Sequence, residues 1–215
     1  MFNNIVTYHI LRSDEMPAYD AIGYQYITAG NGLFIRTETR FFTAIVPVKR
    51  AIVRGLPLLK DRFRLLVPKL PESLLTAVFK DARLARRPDG GLNEVLYQFH
   101  HDGQTVQLKK PPQEATAVSV TSITTGNSDD ENIICDLHSH GNMDAFWSET
   151  DDMDERNGRL YAVVGKIDSD KPEMRLRVGV YGNWMSLPVS ALFANTPQPT
   201  DLTDLHQPPK KEKTR

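Results

Sequence analysis

The chain has 215 residues, 40% hydrophobic and 25% charged, and its 26 basic and 27 acidic residues give a net charge of −1. That length holds one good-sized domain with an extension, or two small ones, and the near-neutral balance argues against a strongly basic nucleic-acid binder. A single cysteine, Cys135, excludes an internal disulfide. No stretch approaches the ~20 apolar residues that cross a bilayer, and MFNNIVTYHILRSDEMP lacks the basic leader and apolar run of a signal peptide, so a cytoplasmic protein is expected.

Residues 1–66 read as a β-rich section. AIGYQYITAGNGLFIRTE places two strands around an Ala-Gly-Asn-Gly turn, a hairpin signal, and RFFTAIVPV supplies another strand. RGLPLLKDRFRLLVPKLP, punctuated by proline and leucine, reads as a connector. PESLLTAVFKDARLARRPDGG is an amphipathic helix: Pro71 and Glu72 suit its first turn, and Leu74, Leu75, Val78, Phe79, Ala82 and Ala85 form one stripe. Arg86 and Arg87 suit the negative end of the helix dipole, before the stop at Pro88, Gly90 and Gly91. Strands are expected at LNEVLYQF, QTVQLKK, ATAVSVTSI and NIICDLHSH, with a turn at HHDG (His100 and His101 within it). A short acidic helix follows from Ser148 to about Asn157, then strands LYAVVGKI and MRLRVGVYG. Residues 67–185 thus read as an α+β domain, and residues 186–215 as a disordered tail.

Charge is uneven. Val48 to Lys69 holds seven basic residues against one acid, Asp61, while Asp129 to Glu155 holds ten acids and no lysine or arginine. Solvated or complementary surfaces explain both runs more simply than a nucleic-acid stripe does.

The acidic run contains a pattern with chemistry in it. In NIICDLHSH the two-residue period sends Ile133, Cys135, Leu137 and Ser139 one way and Ile134, Asp136, His138 and His140 the other. Both imidazoles therefore leave one face of a strand end, close enough to share an ion at the ~2.0–2.1 Å of zinc–nitrogen bonds. Cys135 faces away and reads as a small buried hydrophobe. Ser148 fits a helix N-cap, and Asp151, three residues on, shares its face. If that face meets the histidines, Asp151 completes three protein ligands and leaves one position open, the pattern of catalytic zinc.

His138-Ser139-His140, seven residues, then Ser148-Glu149-Thr150-Asp151 resembles the signature of the JAMM metalloproteases, the MPN family. Four such fixed positions arise by chance in on the order of one chain of this size in a thousand. The resemblance covers about residues 68–182. The β-rich front section and the layout resemble the prokaryotic JAB branch, in particular its members from the PRTRC gene cassette. It implies a cytidine-deaminase-like sheet flanked by helices, Zn2+ held by His138, His140 and Asp151, and a glutamate upstream, for which Glu94 in LNEVLYQF is the best-placed candidate. Glu72 and Glu114 fit less well. Two positions depart from the family's pattern: Gly141 stands where a proline often follows the second histidine, and Val95, Leu96 and Tyr97 follow Glu94 where a glycine-containing segment is common.

What the resemblance implies is a zinc-dependent metalloprotease or isopeptidase. Glu94 would move the proton, Ser148 would donate to the oxyanion, and Asp136 would orient an imidazole. The implied substrate is the extended C-terminal tail of a ubiquitin-like or sulfur-carrier protein, with an E1-like (ThiF-like) protein of the same cassette as a further partner. The short segment between Asp151 and the next strand leaves little room for a substrate-gripping insertion, so the front section or another protein is expected to position the substrate. A non-catalytic MPN-type scaffold is the alternative.

Overall fold

A computed structural model of the chain describes residues 4–123, 130–195 and 199–203. It divides into two compact units, one of Met1–Pro68 with Glu155–Gly158 and Val178–Met185, the other of Lys69–Asp154, Arg159–Arg177 and Ser186–Arg215.

The first unit is built on a five-stranded sheet in chain order: β1 (Asn4–Ile10), β2 (Ala21–Ala29), β3 (Gly32–Glu38), β4 (Phe42–Arg50) and β5 (Arg62–Leu65). The Ala-Gly-Asn-Gly turn joins β2 to β3 as its composition predicts, with Ala29 opposite Gly32. Gly32 sits at φ +136, and a side chain there would strike the Lys49 carbonyl, so the turn requires glycine. Ile27, Ala29, Phe34, Ile45, Leu11 and Leu59 form the core of this unit. The expected connector contains β5, which pairs Leu65 with Phe42 and Phe63 with Ala44.

The second unit opens with α1 (Glu72–Ala82), whose buried face is Leu75, Val78, Phe79 and Ala82. The helix ends three residues earlier than its apolar stripe suggests. Arg83 is the C-cap, Leu84 is exposed, and the chain doubles back: Arg86 bridges Leu92, and the Arg87 N–H bonds the Gly91 carbonyl. Next come β6 (Val95–His101), β7 (Val106–Lys109), a small hairpin of β8 (Gln113–Ala115) and β9 (Val120–Ser122), β10 (Ile133–Ser139), α2 (Glu149–Asp154), β11 (Arg159–Gly165), β12 (Glu173–Val180), β13 (Asn183–Leu187) and β14 (Thr200–Asp201). His100 and His101, expected in a turn, are instead the buried end of β6. There Ile133 of β10 pairs with His100 and Val106 of β7 with His101, and the turn moves to Asp102–Thr105.

Apart from β8 and β9, which pair with each other, these strands form one mixed sheet in the order β13-β12-β11-β10-β6-β7, with β14 beside β12. β10, β11 and β12 are buried along almost their whole length, as expected of strands covered on both faces. The mixed sheet with its flanking helices is the α+β class that the order of elements implied, with the MPN/JAB-like layout that the resemblance implied. β10 is the pivot, antiparallel to β6 and parallel to β11. A parallel pair cannot be closed by a hairpin, so the chain must cross over between them, and α2 lies in that crossover. The C-terminal end of β10 and the start of α2 are thereby brought together.

Of the segment expected as a disordered tail, residues 186–195 and 199–203 are described. Val189, Leu192, Phe193 and Leu202 are buried, and Leu70 exchanges backbone hydrogen bonds with Leu192 and Ala194. Residues 204–215 of that expected tail lie outside the described residues.

Candidate metal centre

β10 pairs His138 with Leu96 and Ser139 with Val95 across its border with β6. Paired residues share a face, so the next step along both strands sets His140 against Glu94. The alternation read from the sequence therefore holds: Cys135 and Ser139 are fully buried on the far face, and both histidines emerge on the near one.

Their Nε2 atoms lie 3.1 Å apart, and His138 Nε2 is 3.3 Å from Asp151 Oδ1. All three ligand atoms fall within 4.8 Å of one another. Ligands on ~2.0–2.1 Å arms at a tetrahedral angle sit about 3.3–3.4 Å apart, close to the separations of His138 from His140 and from Asp151. Protonation points the same way. His140 Nδ1 lies 3.2 Å from the Asp144 carbonyl, which can only accept, so a neutral His140 keeps its proton there and turns a bare Nε2 inward. Burial holds both imidazoles below their ordinary pKa, with His138 adding to the effect on His140. Two neutral imidazoles and a carboxylate thus aim electron pairs at one point, a donor set that fits a divalent cation.

Each ligand is held by its neighbourhood. The His140 ring packs edge-on against Phe146, centroids 4.5 Å apart, and the His140 backbone N–H donates to the Val164 carbonyl. Gly141 turns the chain at φ +56, a value proline cannot reach, and a side chain there would meet Leu92 at 2.9 Å. This accounts for glycine where the family often has proline. Ser148 and Asp151 form a reciprocal cap: the Asp151 N–H donates to Ser148 Oγ at 3.1 Å, and the Ser148 N–H donates to Asp151 Oδ2 at 2.6 Å. One carboxylate oxygen is thus used by the cap while the other faces His138. The Ser148 oxygen accepts here, which leaves its own proton to donate.

Glu94 precedes β6, its carboxylate 5% exposed as a residue and 4.0 Å from His140 Nε2. Burial first, then the nearby charge of Asp151, pushes its pKa up to about 8. The edge beside it is sealed. The Glu94 N–H donates to the Thr116 carbonyl, and the Gln113 amide bonds both the N–H and the carbonyl of Leu96, as a neighbouring strand would.

Asp136 does not orient an imidazole through a direct bond. Its carboxylate accepts from Arg159 Nη1 at 2.7 Å and from Gln98 Nε2 at 3.1 Å, and it reaches His138 only through its charge. The Asp144 carbonyl, Phe146 and Arg177 escaped the sequence reading. A backbone acceptor leaves no trace in residue identity, and the other two lie in runs that read as loop and strand.

No curated protein matches the chain. Residues 84–179, which include Glu94, His138, His140, Ser148 and Asp151, match the model of prokaryotic homologs of the JAB domain. With the mixed sheet and the His-His-Asp cluster, that match makes this stretch of the chain similar to the prokaryotic JAB domain, on an α+β fold of the MPN/JAB type.

Proposed function

We propose that the second unit is a zinc metallopeptidase that hydrolyses a peptide or isopeptide bond at the C-terminal tail of a ubiquitin-like or sulfur-carrier protein. The observation that carries this reading is the convergence of three ligand atoms with a buried carboxylate 4.0 Å from one of them. Bound there, Zn2+ supplies Lewis acidity towards a carbonyl oxygen and brings the pKa of water towards ~7.

The chain's own residues supply the rest. His138 and His140 present neutral Nε2 atoms, and Asp151 balances part of the added charge. Glu94 takes the proton of the attacking water and gives it to the leaving amine nitrogen, a task suited to a buried carboxylate beside the ligand cluster. Ser148 Oγ–H donates to the oxyanion as it develops. The extended tail is the substrate class that the JAB resemblance supports, as is the narrower likeness to the A protein of the PRTRC cassette, with a ThiF-like partner.

The test is one zinc per chain by elemental analysis, together with cleavage of a ubiquitin-like protein fused through its terminal glycines. Glu94→Gln should keep the metal and lose at least ~100-fold in rate, since general acid–base groups contribute about 10²–10⁴-fold. Full zinc occupancy with no cleavage would favour a scaffold. Cleavage that survives loss of both histidines would remove the mechanism.

A further inference from the structure

β12 carries two buried arginines, Arg175 and Arg177, two residues apart and so on one face of the strand. Both reach the crossover between β10 and β11. Arg175 Nε donates to the Ala145 carbonyl at 2.8 Å and its Nη1 to the Leu202 carbonyl at 3.0 Å. The Arg177 guanidinium lies 3.9 Å from the centre of the Trp147 ring, and its Nη1 donates to Asp152 Oδ1 at 2.8 Å.

Trp147 immediately precedes the Ser148–Asp151 cap, and Asp152 immediately follows it. Arg177 therefore grips the metal-facing turn at both ends. Trp147 is itself packed among Ala145, Tyr161, Val163 and Leu202, so the grip is anchored in the core of this unit. Taking a guanidinium out of water costs several kcal/mol before its partners are counted, and an aliphatic side chain would fill the same space without that cost. What an aliphatic residue cannot do is fix orientation, resting a cation on an indole ring while donating from one of its nitrogens to a carboxylate.

We propose that Arg177 is a positioning residue for the ligand Asp151: by bracketing the Ser148–Asp151 turn it holds the carboxylate opposite His138. The inference rests on the metal-centre reading. The positive charge near His138 also works against a cation, which makes charge-conserving variants the informative ones.

The experiment uses the full chain with cobalt(II) as the probe, read by its ligand-field absorption and by competition with Zn2+, well below the unfolding temperature. Arg177→Lys keeps the charge but replaces the planar guanidinium that contacts the Trp147 ring and the Asp152 carboxylate together. It should bind cobalt about tenfold or more weakly with an altered spectrum, in the range seen when partners of metal ligands are removed. Asp152→Asn breaks the same grip from the helix side, and Asp154→Asn, an equal charge change at an exposed position, is its control. Asp152→Asn should weaken cobalt binding at least fivefold more than Asp154→Asn, and this comparison stands even if Arg177→Lys fails to fold. Wild-type affinity and spectrum in Arg177→Lys, or equal effects of Asp152→Asn and Asp154→Asn, would overturn the proposal. A wild-type chain that binds neither cobalt nor zinc would instead bring down the metal reading itself.

Discussion

A buried carboxylate with its pKa pushed up to about 8 is a liability to the metal-free fold. Glu94 has a folded-state pKa above its ordinary value, so the fold binds a proton that the unfolded chain releases, and stability falls as pH rises from about 4.5 to about 8. Glu94→Gln removes that dependence while keeping the shape. The metal-free variant should match the wild type at pH 4 and exceed it by about 4 kcal/mol at pH 7.5, as urea midpoints at the two pH values would report. A bound cation favours the carboxylate and should shrink the difference. Identical midpoints at both pH values would mean that Glu94 is wetter than its burial implies. Gly165 acts at the same scale without any charge. A methyl group there would lie 2.4 Å from the Met143 carbonyl and 2.5 Å from the Ala145 nitrogen, so only glycine lets the loop bearing the Asp144 carbonyl settle on the end of β11. Because these contacts are backbone, Gly165→Ala must displace the loop that fixes the His140 tautomer. Its cobalt affinity should fall about tenfold, by the same competition measurement.

At the scale of elements, α2 is six residues long and exists because of its cap. Ser148→Ala deletes the bond from the Asp151 N–H but leaves the backbone bond from the Ser148 N–H to the Asp151 carboxylate. The variant should therefore lose about 1 kcal/mol of stability while zinc affinity changes only a few-fold. If the serine proton serves the oxyanion, cleavage should fall about 10²-fold or more in kcat with little change in KM. Much of this was legible in the chain. The two-residue period of β10 dictates which face the histidines share, and the three-residue spacing of Ser148 and Asp151 dictates the cap. What was not legible depends on contacts distant in sequence. The stripe of α1 runs on to Ala85, but the Asn93 N–H takes the Ala85 carbonyl and Arg83 Nε donates to the Ile167 carbonyl, so tertiary bonds replace the next helical turn. His100 and His101 look like turn residues until β7 and β10 pair on either side of them. β5 and the buried stretch from Val189 to Phe193 are short or proline-flanked. Pairing and burial make them, and local propensity does not.

For the whole molecule, the second unit gathers two imidazoles and two carboxylates into one small, largely buried volume, where a bound cation would offset part of their desolvation. A cation binding at that point belongs to the folded state alone, because His138 and Asp151 come together only through the crossover from β10 to β11. Binding must then add to stability by mass action, by about 2.7 kcal/mol when free zinc is 100 times its dissociation constant. For a chain of this size that corresponds to a rise of roughly 5–10 °C in the midpoint, at about 2–4 °C per kcal/mol. Zinc added to the chelator-treated protein should produce this rise in a scanning calorimeter, and excess chelator should reverse it. Magnesium, which prefers six oxygen ligands, should not reproduce it. His140→Ala should abolish the rise while leaving the metal-free midpoint within a few degrees of wild type. An equal zinc-induced rise in His140→Ala would place the metal elsewhere on the chain, for which the buried pair His100 and His101 would be the next residues to replace.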